Sequence, residues 1–212
     1  MPATVQDTVT SAEKEWTFWG NSTWNLVTGK KKIAHTDDEE KFAKYVIANY
    51  NSVGGGSPSV HDIANDDYAW SAVGMSAIMK QAGFVKAEFP FAQSHSVYIR
   101  RFIKARRDND KNAAFWGFRL GEAGGQPEVG DLVAYARGKN LTAKKAAAYF
   151  DKTSGYESHT DLVVAKRPGE IDVIGANVLD SVTRKTLALN AAGHVNDSVH
   201  FWFATLKRKS GV

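Results

Sequence analysis

Segment 69–83 places the strongest constraint on the fold of this chain. Its residues are apolar or small at almost every position, and Lys80 is its only charged residue. A segment of this length without a polar face predicts a helix that is buried on all sides. Gly83 is the residue type that closes a helix in a left-handed conformation. We therefore expect a buried helix that ends at this glycine.

The order of the predicted elements indicates an α+β fold, with N-terminal helices packed on an antiparallel β-sheet. A Thr36–Glu39 pair with capping-box spacing predicts a helix start at Thr36. Helices are predicted at residues 11–19, 36–50, 69–83 and 95–107, and a helical insertion at 141–150. Strands are predicted at residues 130–135, 159–166, 171–178, 181–189 and 199–206. We expect a single domain, 1–212, in which residues 1–60 form a helical extension and residues 61–206 the core.

Composition removes several classes of function. The chain has 212 residues, no cysteine and a formal net charge of +4. Thiol chemistry and disulfides are therefore absent. No apolar run approaches the ~20 residues of a membrane span, and the N-terminus lacks the pattern of a secretory signal. The basic clusters carry no nucleic-acid recognition motif, so no nucleic-acid partner is expected.

Four sequence blocks occur in an order that carries a resemblance. They are Trp70-Ser71-Ala72 at the start of the long helix, Pro127-x-x-Gly130-Asp131, Ser158-His159 before an apolar run, and Gly175-Ala176-Asn177. Together they resemble the papain-like peptidoglycan hydrolases of the CHAP and NlpC type, in a subfamily with Trp-Ser-Ala in place of Trp-Cys-Ala. The resemblance implies a papain-like fold and a nucleophile position at Ser71. It also implies that His159 is the base and that Asn177 orients His159.

A second arrangement needs no protein nucleophile. On a strand, His159 and Asp161 point to the same side, and a histidine and a carboxylate are good zinc ligands. His95 opens the helix that follows the Ser71 helix, so it is the expected third ligand. Zinc would lower the pKa of its bound water to about 7, and Ser71 would then position the substrate. Three carboxylates are candidates for the general base: Asp66, Asp67 and Glu122.

We expect a peptidoglycan amidase or endopeptidase that cleaves an amide bond of the stem peptide with zinc held by His95, His159 and Asp161. The alternatives are a serine-type amidase using Ser71, His159 and Asn177, a non-catalytic peptidoglycan-binding module, and a structural adaptor. Without a signal peptide, the expected route to the periplasm or cell wall of a target bacterium is a phage or a secretion apparatus. An antibacterial effector of this kind would have an immunity protein as partner.

Overall fold

The helix predicted from segment 69–83 is present and is central to the structure. The computed structural model describes residues 3–65 and 67–209. Within it, α4 spans Ser71–Gln81, and every residue from Ser71 to Met79 is buried. Gly83 has a φ of +100°, which is the left-handed conformation expected just beyond a helix end. The helix packs against the sheet on one side and against two other helices on the other.

The described residues form six α-helices, one 3₁₀ helix and eight strands. The helices are α1 (Val5–Phe18), α2 (Glu40–Val53), α3 (Val60–Ala64), α4 (Ser71–Gln81), α5 (His95–Arg107) and α6 (Ala143–Ala147), with the 3₁₀ helix at Ala148–Asp151. The strands are β1 (Ser22–Asn25), β2 (Lys31–Lys32), β3 (Phe115–Arg119), β4 (Leu132–Ala136), β5 (Ser158–Arg167), β6 (Glu170–Val178), β7 (Ser181–Ala188) and β8 (Phe201–Arg208). The α+β class predicted from the sequence is therefore confirmed.

The sheet is mixed and not purely antiparallel as predicted. Its strand order is β2-β1-β7-β6-β5-β4-β8-β3. The pairing of β1 with β7 is parallel, and the other pairings of the described strands are antiparallel. Strand β1, near the start of the chain, pairs here with β7, near its end. No local turn signal could predict the direction of that contact.

The two faces of the sheet cover two separate groups of apolar side chains. Leu132, Ala134 and Leu162 point toward the helices and belong to the main core. Val133, Tyr135 and Val163 belong to a smaller core on the other face, which we call the far-side core. Because side chains alternate along a strand, neighbouring residues of β5 face opposite environments. This alternation decides where each polar residue of β5 lies.

The N-terminal segment is not a helical extension alone. Helices α1 and α2 pack against α4, while β1 and β2 extend the sheet. Ser22 of β1 and Ser181 of β7 are both buried, with their Oγ atoms 3.0 Å apart. The first 60 residues thus contribute both to the helical layer and to the sheet. No helix in the described part of the chain is long and apolar enough to cross a membrane.

Two predicted helix starts differ from the structure. Helix α1 begins earlier than expected, because Thr4 and Asp7 form a reciprocal capping box. Helix α2 begins later, at Glu40, and Thr36 does not cap it. The Glu39 carboxylate accepts a hydrogen bond from the backbone N–H of Thr36 at 3.2 Å, which is only half of the expected box. The neighbouring carboxylate of Asp37 instead accepts a hydrogen bond from the indole of Trp70.

Candidate functional site

Trp70 and Ala69 hold the start of α4 in place. The Trp70 indole Nε1 donates a hydrogen bond to Asp37 Oδ2 at 2.5 Å, and its ring stacks on Trp19 at 5.0 Å between centroids. The Tyr50 hydroxyl donates to the carbonyl of Ala69 at 3.1 Å. A Cβ at Gly74 would lie 2.5 Å from Cβ of Ala176, so glycine allows α4 to approach β6 this closely. These contacts fix the position of Ser71, the first residue of the helix.

Ser71 pairs with His95 and not with His159. The Oγ of Ser71 lies 2.8 Å from Nε2 of His95, and both side chains are buried. His95 opens α5, whose predicted bounds agree with the structure. The partner of Ser71 in the predicted serine arrangement was His159, so the structure assigns that place to a different histidine. The reason is the strand alternation: His159 points to the far side of the sheet.

Two hydroxyl groups hold the other nitrogen of His95. Thr160 Oγ1 lies 2.9 Å from His95 Nδ1, and the Tyr98 hydroxyl also contacts this nitrogen. The two hydroxyls are 2.9 Å from each other. Tyr98 follows His95 by one helical turn, and Thr160 is the residue between His159 and Asp161. Ser71, His95 and these hydroxyls thus form one buried network on the helix side of the sheet.

His159, Asp161 and Lys185 form a second network on the far side. His159 Nε2 lies 3.1 Å from Asp161 Oδ1, and Lys185 Nζ lies 2.7 Å from Asp161 Oδ2. None of the three side chains has exposed area. The prediction that His159 and Asp161 project together is confirmed by this contact. The rings of His95 and His159 are 4.9 Å apart between centroids, so the two networks touch at the two imidazoles.

Burial and charge set the protonation states of these groups. Burial lowers the pKa of His95 well below its ordinary value, and the nearby His159 lowers it further. Burial also lowers the pKa of His159, to about 4. Burial alone would raise the pKa of Asp161, but the Lys185 ammonium and the His159 ring together outweigh it and the net shift is downward. At neutral pH the site therefore holds two neutral imidazoles and a buried carboxylate–ammonium pair.

Ser71 and His95 also line a cavity of about 610 Å³. Its other lining residues come from four short stretches of chain: Ala69, Gln93, Ser94, Arg137, Gly155, Tyr156, Glu157 and Ser158. A cavity of this size can accept part of a peptide. His159, Asp161 and Asn177 are not among its lining residues. The helix-side network is therefore the one that a ligand in this cavity would meet.

The zinc ligands predicted from the sequence do not fit a common ion in this conformation. Both nitrogens of His95 contact hydroxyl groups, and Asp161 contacts His159 and Lys185. A divalent cation bound by Asp161 would lie beside the Lys185 ammonium, which opposes it. Within residues 3–65 and 67–209, no three His, Asp or Glu side chains are grouped so that they could hold a metal. The zinc centre stays a prediction.

The remaining predicted residues lie apart from the Ser71–His95 pair. Asn177 has a left-handed φ of 52° beside the β6–β7 turn, and no hydrogen bond joins it to His159 in the described chain. Glu122 binds Arg106 at 2.8 Å and lines a separate cavity. Asp67 is exposed, and Asp66 lies outside the described residues. None of the described candidates for the general base contacts Ser71 or His95.

Sequence reasoning missed Thr160, Tyr98 and Lys185. Tyr98 lies three residues after His95 and so on the same helix face, which is a usable signal. Lys185 is a charged residue on the buried face of β7, between Thr183 and Leu187. Asp161 is likewise a charged residue among the buried residues of β5. Two opposite charges in two buried strands suggest a pair. Thr160 carried no signal, because a threonine is ordinary in a strand.

One family model matches most of the chain. It is described as an uncharacterized protein conserved in bacteria (DUF2272), and it matches residues 20–207. The match includes both polar networks and all residues that line the cavity. Neither a curated protein nor a solved structure matches the chain.

Proposed function

The chain belongs to the DUF2272 family of bacterial proteins, and from this premise and the Ser71–His95 pair we propose that it is a serine-type hydrolase. Its proposed substrate is an amide bond of the peptidoglycan stem peptide. The observation that carries the proposal is the 2.8 Å contact between Ser71 Oγ and His95 Nε2 at the wall of a peptide-sized cavity. A nucleophile hydrogen-bonded to a base that a third group orients is the arrangement used in covalent hydrolysis.

The protonation state of His95 suits a general base. With its pKa lowered by burial, the imidazole is neutral at pH 7 and one nitrogen is free to accept a proton. In the tautomer that carries its proton on Nδ1, His95 donates to the Thr160 or Tyr98 hydroxyl. Nε2 then accepts the proton of Ser71. The two hydroxyls can accept the Nδ1 proton, so their contacts are compatible with the tautomer that catalysis requires.

The proposed reaction proceeds in two balanced steps. Ser71 Oγ attacks the amide carbonyl while its proton moves to His95 Nε2. The imidazolium then gives this proton to the leaving amine as the C–N bond breaks, leaving an ester on Ser71. A water molecule, deprotonated by His95, then attacks the ester, and His95 returns the proton to Ser71 Oγ as the carboxylic acid is released.

The start of α4 offers donors for the oxyanion of the intermediate. Counting from the N-terminal end of α4, Gly74 is the first residue whose backbone N–H donates to a carbonyl oxygen of the helix. The acceptor is the carbonyl of Trp70, at 2.8 Å. The amides of Ser71, Ala72 and Val73 therefore have no partner within the helix. Such amides favour negative charge, and oxyanion donors of this kind contribute about 2.7–4 kcal/mol each to catalysis.

The choice of substrate rests on the sequence resemblance. The blocks around Trp70, Asp131 and His159 resemble those of papain-like peptidoglycan hydrolases, and a net charge of +4 suits an anionic cell wall. Action in the periplasm or cell wall after delivery by another machine, with an immunity protein as partner, belongs to the same proposal. The fold itself does not determine the substrate.

Digestion of purified peptidoglycan tests the proposal directly. Release of amines would be measured for the wild type, Ser71→Ala, His95→Ala and His159→Gln, each with and without a chelator. Chelator-resistant release that is abolished in Ser71→Ala and His95→Ala is the expected result. Ser76→Ala is the matched control, since Ser76 lies on the same helix and its Oγ forms hydrogen bonds to the backbone of Ala92, at 3.1 Å.

The rival functions give different results in the same assay. Release that a chelator abolishes while Ser71→Ala remains active would replace the serine mechanism with the zinc one. Protein that sediments with peptidoglycan but releases nothing would be a binding module. Protein that neither binds nor cleaves would overturn the cell-wall assignment.

A further inference from the structure

The cavity in front of Ser71 and His95 contains polar side chains that the proposed hydrolysis does not use. They are Arg137, Tyr156 and Ser158, and all three line the cavity together with the catalytic pair. Arg137 follows the end of β4, and its backbone N–H donates to the Glu157 carbonyl at 3.0 Å. This bond holds the arginine beside the segment that carries Tyr156 and Ser158. The segments that carry these three residues are therefore adjacent in one wall of the cavity.

The two hydroxyl groups lack hydrogen-bond partners among the described residues. In the described part of the chain, neither the hydroxyl of Tyr156 nor that of Ser158 has a hydrogen-bond partner, although the residues are only 9% and 8% exposed. The guanidinium of Arg137 lies 5.9 Å from the centroid of the Tyr135 ring and forms no ion pair in the same part of the chain. Buried hydroxyl groups are almost always hydrogen-bonded, because leaving one unsatisfied destabilises the fold. Such groups beside a cavity indicate that a ligand completes them.

The charge of this wall favours an anion. Among the described lining residues, Glu157 alone is acidic, and it is exposed and forms no ion pair with Arg137. A guanidinium presents paired N–H donors that match the two oxygens of a carboxylate. Hydroxyl groups of Tyr and Ser can donate to the same oxygens.

We propose that Arg137, Tyr156 and Ser158 form a subsite for a carboxylate of the substrate, next to the bond that Ser71 attacks. The inference rests on the proposed function and deepens it: the substrate class becomes peptides with a free carboxylate beside the scissile amide. Arg137 supplies the charge. Because a guanidinium only donates hydrogen bonds, it also distinguishes a carboxylate from a carboxamide, whose NH₂ group it cannot bind, and the two hydroxyls add donors. The carboxylate thereby places the amide carbonyl against Ser71.

Binding to the Ser71→Ala protein tests the subsite without requiring turnover. The probes are the stem tetrapeptide L-alanyl-γ-D-glutamyl-L-lysyl-D-alanine and two analogues, in which either the glutamyl or the terminal carboxylate is a carboxamide. Calorimetry should show that one of the two analogues binds about 10- to 100-fold more weakly than the parent. Adding Arg137→Gln should remove this difference. Equal binding of all three peptides would overturn the subsite.

Two further variants separate recognition from general effects of charge and folding. Lys139→Gln removes a positive charge two residues from Arg137 at an exposed position outside the cavity lining. It should keep the full preference for the carboxylate. Tyr156→Phe should reduce the preference while thermal unfolding shows a folded protein. A preference that survives Arg137→Gln would assign the carboxylate to another residue and overturn the proposal.

The outcome for the subsite can be distinguished from that for the enzyme. A carboxylate preference in Ser71→Ala that depends on Arg137, with no hydrolysis by the wild type, would support the subsite and overturn the proposed function. Hydrolysis of both carboxylate and carboxamide peptides at equal rates would support the enzyme and overturn the subsite.

Discussion

The ammonium group of Lys185 lies 2.7 Å from Oδ2 of Asp161, and neither side chain has any exposed area. A pair so fully removed from water is held together by charge, because each partner alone would be an uncompensated buried ion. The pKa of Lys185 is raised: burial opposes this shift, but the Asp161 carboxylate outweighs it. The pair therefore remains ionised, and the contact of Asp161 with the imidazole holds His159 in position.

Removing one member of the pair should destabilise the protein strongly. Lys185→Met leaves the Asp161 carboxylate buried without its cation, and we expect a loss of about 3–5 kcal/mol in the free energy of unfolding. Urea denaturation measures this loss. Lys44→Met breaks an exposed ion pair with Glu40 and should change stability by no more than about 0.5 kcal/mol. Similar effects for the two variants would show that the buried pair is not a significant contributor to stability.

Gly175 should not tolerate a side chain. A Cβ at this position would lie 1.9 Å from Asp161 Oδ1 and 3.0 Å from His159 Nε2. Gly175→Ala must displace the carboxylate or the imidazole, and we expect a destabilisation of about 1–3 kcal/mol. Gly155→Ala is the matched control, since its Cβ would meet nothing closer than Ser96 Oγ at 3.8 Å. Thermal or urea unfolding of both variants distinguishes a steric effect from a general effect of replacing glycine.

Acid should destabilise the protein through His159. Its pKa is about 4 in the folded protein, where burial disfavours the charged ring, against an ordinary value of 6.5. Between these values the unfolded chain binds a proton that the folded protein does not, so stability falls as the pH falls. His159 alone should contribute about 3 kcal/mol, fully present above pH 6.5 and lost by about pH 4.

Urea denaturation at a series of pH values checks this dependence. His159→Gln keeps a donor for Asp161 but cannot be protonated, so its stability should vary less between pH 6.5 and 4 than that of the wild type. His61→Gln, at an exposed position, is the control. An unchanged slope in His159→Gln would assign the acid sensitivity to other groups.

The hydroxyls of Thr160 and Tyr98 should affect the turnover number more than substrate binding. Both contact Nδ1 of His95, on the side of the ring away from Ser71. Thr160→Val and Tyr98→Phe should each lower kcat by about tenfold. General base catalysis contributes about 10²–10⁴-fold to the rate, and orientation of the base by each hydroxyl accounts for part of that factor.

The double variant provides the sharper measurement. With both hydroxyls removed, Nδ1 loses both of its contacts, and kcat should fall by more than the product of the single effects. KM should change little, since neither residue lines the cavity. A rise in KM with kcat unchanged would place these hydroxyls in substrate binding and would contradict their proposed role.

Local patterns predicted the elements whose signals lie within a few residues. The bounds of α5 and the end of α4 at Gly83 follow from helical spacing and from the left-handed preference of glycine. The start of α2 was predicted wrongly, because the Thr36 hydroxyl donates to the Asp38 carboxylate and does not cap the helix. Strand β1 was missed because its place depends on a parallel pairing with β7, more than 150 residues away.

The sequence by itself determined that a buried helix carries Ser71 at its start, that His159 and Asp161 share one side of a strand, and that cysteine chemistry is absent. These properties depend on residue type and on the periods of helix and strand, which are local. Only the tertiary structure decided that His95 is the partner of Ser71 and that Lys185 neutralises Asp161. Those contacts depend on which face of the sheet meets which helix, and that is settled by packing of the whole chain.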